Sequence, residues 1–231
     1  MRRLVYLVPI LYLLIPIAFA TDDDCGDHKT LGEKCWLKVL DLHPTQHAIG
    51  MREVMNRKKK LEDMNGSDLK DYLKSRPVPV AIGPHEIPYM TDHHHLTRAL
   101  WQAGIKKAYI EVQQDWSSLS APAFWKKMEE KSWVYPRDQF GAGPHTHEFL
   151  PPTVMSLADD PYRDLSREVE RAGGYEDTNI FYAEFLWADY FRSRIPVLKV
   201  RNDFDRSVEK ALTLVHLPEA KALPGFIPPG R

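Results

Sequence analysis

The hydrophobic positions change spacing several times along the chain, and each change marks an expected element. Leu4 to Ile17 is an almost unbroken apolar run. Residues 21–42 read as an irregular polar leader anchored by Trp36, Leu37, Val39 and Leu40. From His47 to Met64, Ile49, Val54, Met55 and Leu61 are spaced loosely as on a helix, and Leu69, Tyr72 and Leu73 suggest a second helix that must stop before Pro77. Val78-Pro79-Val80-Ala81-Ile82 reads as a short strand that Pro79 pushes toward an edge or a strand start. Gly83-Pro84 ends it, and Ile87 to Met90 reads as the return of a tight connection.

A helix with both ends marked follows. Asp92 is its expected N-cap, Gly104 its left-handed stop, and Leu96, Ala99, Leu100 and Ala103 form a core stripe at i, i+3, i+4 and i+7. Lys107 to Val112 is the next strand, completing a strand-turn-helix-strand unit. Later helices are expected over 122–131, 161–172, 180–194 and 204–216, the second opened by Asp160-Pro161 and closed by Gly173. Between them, 135–152 is a loop rich in Gly, Pro and His, long enough to suggest a function. The Pro-rich tail, 217–231, reads as extended or disordered.

The front end changes the picture from a generic domain to an exported one. Arg2 and Arg3 precede the apolar run, and Ala18-Phe19-Ala20 fits a small-x-small cleavage site, so residues 1–20 read as a signal peptide. The run falls short of the roughly 20 residues a membrane span needs, and acidic Asp22, Asp23 and Asp24 follow it. The expectation is a periplasmic or secreted protein with no stable membrane anchor after cleavage. Removing Arg2 and Arg3 with no acid moves the formal charge from -1 to -3, so any polyanion must be met by a local patch. Cys25 and Cys35 are the only cysteines, and in an exported chain they read as a disulfide ahead of a metal site. Closing so short a loop contributes about 2.5 to 3 kcal/mol.

Candidate chemistry gathers at the start of the helix that follows Asp92. Backbone N–H groups at a helix N-terminus bind phosphate-like anions, and His93, His94 and His95 follow Asp92 there. His94 and Arg98, at i and i+4, share a face opposite the apolar stripe, which makes them the expected anion or substrate contacts on the solvent side. His93, Lys58, Lys59 and Gly83 are further substrate-binding candidates, the lysines from the basic run Arg57-Lys58-Lys59-Lys60. His145 and His147, one residue apart in the loop, have a metal-ligand spacing if that segment is extended, so a divalent metal enters as a cofactor option. Glu184, Asp189 and Arg192 suggest a buried pair network.

Pro44-Thr45-Gln46, Pro77-Val78-Pro79-Val80, Gly83-Pro84, Tyr89 and Asp92-His93-His94-His95 with Arg98-Ala99-Leu100 together resemble the ParB-like nuclease family. So do Trp133-Val134-Tyr135-Pro136, Asp159-Asp160-Pro161-Tyr162-Arg163, Gly173-Gly174-Tyr175 and Glu184-Phe185-Leu186-Trp187-Ala188-Asp189, and the likeness spans 44–195. The resemblance implies an α/β fold of the ParB/sulfiredoxin type, a small mixed sheet with packed helices in a domain over 43–216 with a helical C-terminal extension. It also implies a phosphodiester hydrolase acting on nucleic acid or nucleotide, with a phosphate-containing ligand received at the polar helix start. In that reading His94 or His95 is the general acid or base, while Arg98 and the helix start beside Asp92 stabilise the phosphoryl oxygens. Where relatives often place Gly in this turn the chain has His93, and where they place Arg it has Leu96. That departure, with export and the lack of a P-loop, weighs against a nucleotide-dependent phosphotransferase. No cysteine lies near Asp92, which argues against sulfiredoxin chemistry. The alternative from another class is a non-catalytic module binding an anion or a metal.

Overall fold

The structure, a computed structural model, describes residues 24–228; the expected signal peptide lies outside the described residues. Among the described residues a four-stranded mixed sheet has β1 (Lys34–Lys38), β3 (Val78–Gly83), β4 (Ile87–Met90) and β5 (Lys107–Asp115) in the order β1-β5-β3-β4. β3 runs parallel to β5, while β1 and β4 are antiparallel edges. Alternation along β3 explains its near-continuous apolar sequence. Val78, Val80 and Ile82 face α1 (Met51–Glu62), α2 (Gly66–Lys74) and α3 (His94–Gln102), whereas Ala81 packs with Phe124 and Met128 of α4 (Ala121–Glu130) on the other face.

One expectation fails here and another is narrowed, for identifiable reasons. The leader is irregular only over 25–33: its Cys25–Cys35 disulfide holds it beside β1, which pairs along β5 from Lys34↔Glu111 to Lys38↔Lys107. Of the two places expected for Pro79 the structure has the strand start and not the edge, since Pro79 is the second residue of β3 and β3 is interior. The last β3–β4 pair is Val80↔Met90, so Pro79 lies beyond the ladder on that side and needs no N–H there. Its carbonyl instead accepts the Thr91 N–H at 2.9 Å.

The second half forms its own core from α5 (Pro161–Arg171), α6 (Ala183–Arg192), α7 (Val197–Asn202) and α8 (Phe204–Leu214), with Leu165, Val169, Trp187, Phe191 and Ala211 at its centre. The tail is ordered through residue 228 rather than loose. Trp187 Nε1 donates to the Pro224 carbonyl at 2.7 Å, and Phe226 bridges to Tyr175, because prolines that cannot donate still offer carbonyls and apolar faces.

A short parallel ribbon of β2 (Ala48–Ile49) and β6 (Ala158–Asp159) ties the halves together. Each strand runs directly into a helix, so the N-termini of α1 and α5 lie side by side. Asp164, on the first turn of α5, caps α1 from outside by accepting the Arg52 and Glu53 N–H groups at 2.8 and 2.9 Å. Burial pushes its carboxyl up to about 6 despite these two donors.

Candidate functional site

The start of α3 opens into a cavity of about 720 Å³. α1 contributes Glu53 and Arg57 to its wall, the turn after α2 contributes Arg76, and α5 contributes Arg163, Arg167 and Glu170. Trp133, Tyr135, Tyr182 and Phe185 give it an aromatic side. All three histidines after Asp92 line it.

Their environments differ from a solvent-facing row. His94 is 1% exposed, and its Nε2 accepts the Thr45 N–H at 3.0 Å; burial, first, and the nearby Arg163 bring its pKa down to about 4. His95 Nε2 accepts the Gly50 N–H at 3.2 Å, and burial with Arg163 and Arg57 holds its pKa well below the usual range. The expectation that His94 projects to solvent is thus corrected. The apolar stripe does face the core through Leu96, Ala99 and Leu100, but α3 is covered on its polar side as well, by the Thr45 segment.

Asp92 also plays a different part from the expected cap. The residue in the N-cap position is His93, in the left-handed region at φ 65° and ψ 24°, and no side chain caps the helix. Asp92 Oδ1 instead accepts the His93 N–H at 2.6 Å, holding that turn.

Arg98 leaves the site altogether. Its Nη1 donates to the Val154 and Met155 carbonyls at 2.6 and 2.5 Å, and its guanidinium lies 4.8 Å from the Trp101 ring centre. It clamps α3 to the turn at 154–156, which periodicity within α3 could not reveal. Arg98→Ala should therefore lower stability by about 1 to 3 kcal/mol, as two carbonyls lose their donor. Urea unfolding measures that loss, and stabilisation by sulfate should persist; a variant of normal stability that no longer responds to sulfate would return Arg98 to the ligand site.

The other candidates disperse. Lys58 pairs with Glu62 at 2.6 Å, Lys59 is exposed, and neither lines the cavity, where their neighbour Arg57 does. Gly83 is a packing glycine: an added Cβ would lie 2.8 Å from the Tyr89 ring and 3.0 Å from Phe124. His145 pairs with Asp138 at 3.2 Å beside His47, while His147 stacks on Trp125 with ring centres 4.5 Å apart. The segment is not extended at His147, which opens a short 3-10 turn. Among the described residues no group of three or more His, Cys, Asp or Glu side chains converges as a metal site. The expected pair network does form, with Glu184 to Arg163 and Arg192 to both Asp160 (2.7 Å) and Asp189 (3.2 Å).

Sequence reasoning passed over Arg163, which carries much of the site. Its pKa falls to about 10 through burial, its guanidinium lies over the Phe185 ring, and its Nε and Nη1 have no partner. A cation in the first turn of α5 opposes the helix dipole, and that mismatch was the available clue.

Helix start, arginines and an aromatic wall thus line one cavity in a mixed α/β domain. A family model described as "Putative ParB-like nuclease" matches residues 35–193, and the chain belongs to that family. It is also similar to protein Atu1540 from Agrobacterium tumefaciens, whose crystal structure aligns with a TM-score of 0.78 at 33% identity, covering 84% of this chain and 96% of that one. Comparison with curated proteins returns no match.

Proposed function

We propose that the chain is an exported phosphodiester hydrolase acting on nucleic acid or nucleotide at the α3 cavity. One observation carries the reading. Gln46 Oε1, His93 Nδ1, His94 Nδ1 and Arg163 Nε and Nη1 are buried atoms without a hydrogen-bond partner, and all belong to residues lining this cavity. Buried polar groups are rarely left unpaired, and their concentration in residues of one wall supports a polar ligand there.

The donors among those atoms favour an oxyanion, while Gln46 Oε1 is an acceptor that suits an N–H or O–H of the ligand. With Nε2 of His94 accepting a backbone N–H, the neutral ring holds its proton on Nδ1 and is a donor there. Arg163 adds two more N–H groups, in the planar arrangement that suits phosphoryl oxygens. Among the described residues six carboxylates (Glu53, Asp92, Glu170, Glu176, Asp177, Glu184) and four arginines line the wall, and two of the carboxylates are bound by arginine. Glu53 is bound by Arg57 and Arg171, each at 2.8 Å, and Glu184 by Arg163 and by Arg167 at 3.5 Å. Trp133 and Tyr182, half-buried on the same wall, are the rings on which a base would stack. Export is supported by the signal-peptide pattern of residues 1–20 and by the Cys25–Cys35 disulfide.

Incubating the purified mature protein with single-stranded and duplex nucleic acid, with and without divalent metals, tests the reading. Cleavage is expected, and His94→Ala should slow it by about 10²- to 10³-fold through loss of one oxyanion donor. Sulfate binding with no cleavage of any substrate would instead assign a non-catalytic anion module, the reading favoured by two histidines fixed as donors.

A further inference from the structure

His93, His94 and His95 enter one cavity, but only one of the rings is free to move a proton. A ring nitrogen that accepts an N–H has committed its lone pair and cannot take a proton without expelling the donor. That condition holds for His94 Nε2 under the Thr45 N–H and for His95 Nε2 under the Gly50 N–H. Both rings are therefore fixed as donors through Nδ1. His93 differs: among the described residues no backbone N–H is bound to its ring, and with Nδ1 buried, Nε2 of this half-buried ring is the nitrogen that water can reach.

We infer that His93 is the catalytic residue that accepts and returns the proton at this site, an assignment that deepens the hydrolase reading and rests on it. His93 takes a proton from water as the water oxygen bonds to phosphorus. The P–O ester bond breaks, and the imidazolium gives its proton to the departing oxygen, so water is added across the bond with nothing left over.

The backbone is also unusual at this residue, as it is at Ser132 and Tyr182 of the same wall. His93 holds φ 65°, a conformation uncommon for a side chain with a Cβ, and such strain collects at functional sites. Its N–H is held by Asp92 Oδ1, and its carbonyl accepts the Thr97 N–H at 3.0 Å and the Thr97 hydroxyl at 3.2 Å, so the ring is presented from a braced turn.

The surrounding charges set the direction of titration. Asp92 lies on the same turn, Glu53 and Arg57 come from α1, and Arg76 follows α2. Across the cavity are Arg163, Arg167 and Glu170 of α5 and Glu184 of α6, with Glu176 and Asp177 between those helices. Burial lowers the His93 pKa, Arg57 and Arg76 lower it further, and Asp92 opposes them. The ring is then neutral in the free protein at neutral pH, ready to accept. Sulfate, a dianion, raises the pKa and draws a proton onto the ring, so its binding reports the acceptor, whereas hydrolysis needs the ring still neutral beside the singly charged diester.

His93→Gly is the decisive variant, because Gly relaxes the left-handed turn while removing the ring. Its melting temperature should match or exceed that of the wild type. Two probes keep their charge near neutral pH: sulfate, and a dinucleoside monophosphate. Calorimetry in buffers of different ionisation heat should show proton uptake on sulfate binding to the wild type and none for His93→Gly. Wild-type affinity is enhanced at low pH and should fall by up to about tenfold per pH unit as pH rises through the bound-state pKa, whereas the variant stays flat. Cleavage of the dinucleoside monophosphate should drop about 10²- to 10⁴-fold in His93→Gly and recover in part with added imidazole. Wild-type cleavage that persists in the variant, or unchanged proton uptake, overturns the inference and leaves the hydrolase reading standing. Absence of wild-type cleavage overturns that reading, while proton uptake still decides whether His93 is the acceptor.

Discussion

Gly50→Ala should cost about 3 to 5 kcal/mol and lower the melting temperature accordingly, the range of a severe core substitution. A Cβ built at Gly50 would sit 2.2 Å from Asp164 Oδ1, 2.5 Å from its Cγ and 2.9 Å from its backbone N. The last of these is main chain in the first turn of α5 and cannot swing away. Either α1 and α5 separate or Asp164 withdraws, and withdrawal leaves the Arg52 and Glu53 N–H groups without their acceptor. Gly50 also donates its N–H to His95, so the strain reaches the cavity wall. Gly66→Ala is the control: nothing lies within 4 Å of a Cβ there, at the start of α2, and the variant should be as stable or slightly more so. Urea unfolding of both decides it, and equal small effects would mean that the α1–α5 junction is looser than this packing implies.

That junction marks the boundary of what the sequence makes legible. Local chemistry reads well: Asp160 caps α5 by accepting the Tyr162 N–H at 3.0 Å, and Gly104 and Gly173 adopt positive φ where their helices stop. The strand-turn-helix-strand unit and the core stripe of α3 also follow from spacing alone. What spacing does not carry is the second side of an element. α3 has an apolar stripe, yet residues from remote parts of the chain cover its polar face, burying His94 and turning Arg98 toward 154–156. The leader became a strand because β5 offered an unpaired edge, a partner 70 residues away that no local pattern announces. α7 went unforeseen because six residues after Pro196 give too little periodicity to recognise. The His93–His95 turn lines the cavity, but Arg98, the one arginine that α3 itself offers, does not, and Arg163 comes from a helix that the β2–β6 ribbon brings alongside.

Arg163 is where stability and binding should separate most clearly. Its side chain is 4% exposed, against 24% for its partner Glu184, so the two ends of the pair are not equivalent. Glu184→Ala strands a buried guanidinium whose Nε and Nη1 already lack partners, and loss of one member of a buried pair costs about 3 to 5 kcal/mol. Arg163→Met does the reverse. Met is similar in length, can lie against the Phe185 ring that now carries the guanidinium, and leaves Glu184 beside Arg167 and open to the cavity. Replacing a poorly satisfied buried charge with an apolar chain should therefore leave stability within about 1 kcal/mol of the wild type or raise it. Oxyanion binding should move the other way, with sulfate affinity down about a hundredfold, which is roughly 2.7 kcal/mol. Thermal titrations of the wild type, Arg163→Met and Glu184→Ala against sulfate read both quantities in one experiment. A stable Arg163→Met protein that still binds sulfate normally would remove Arg163 from the ligand site, and one that unfolds like Glu184→Ala would make it a structural cation instead.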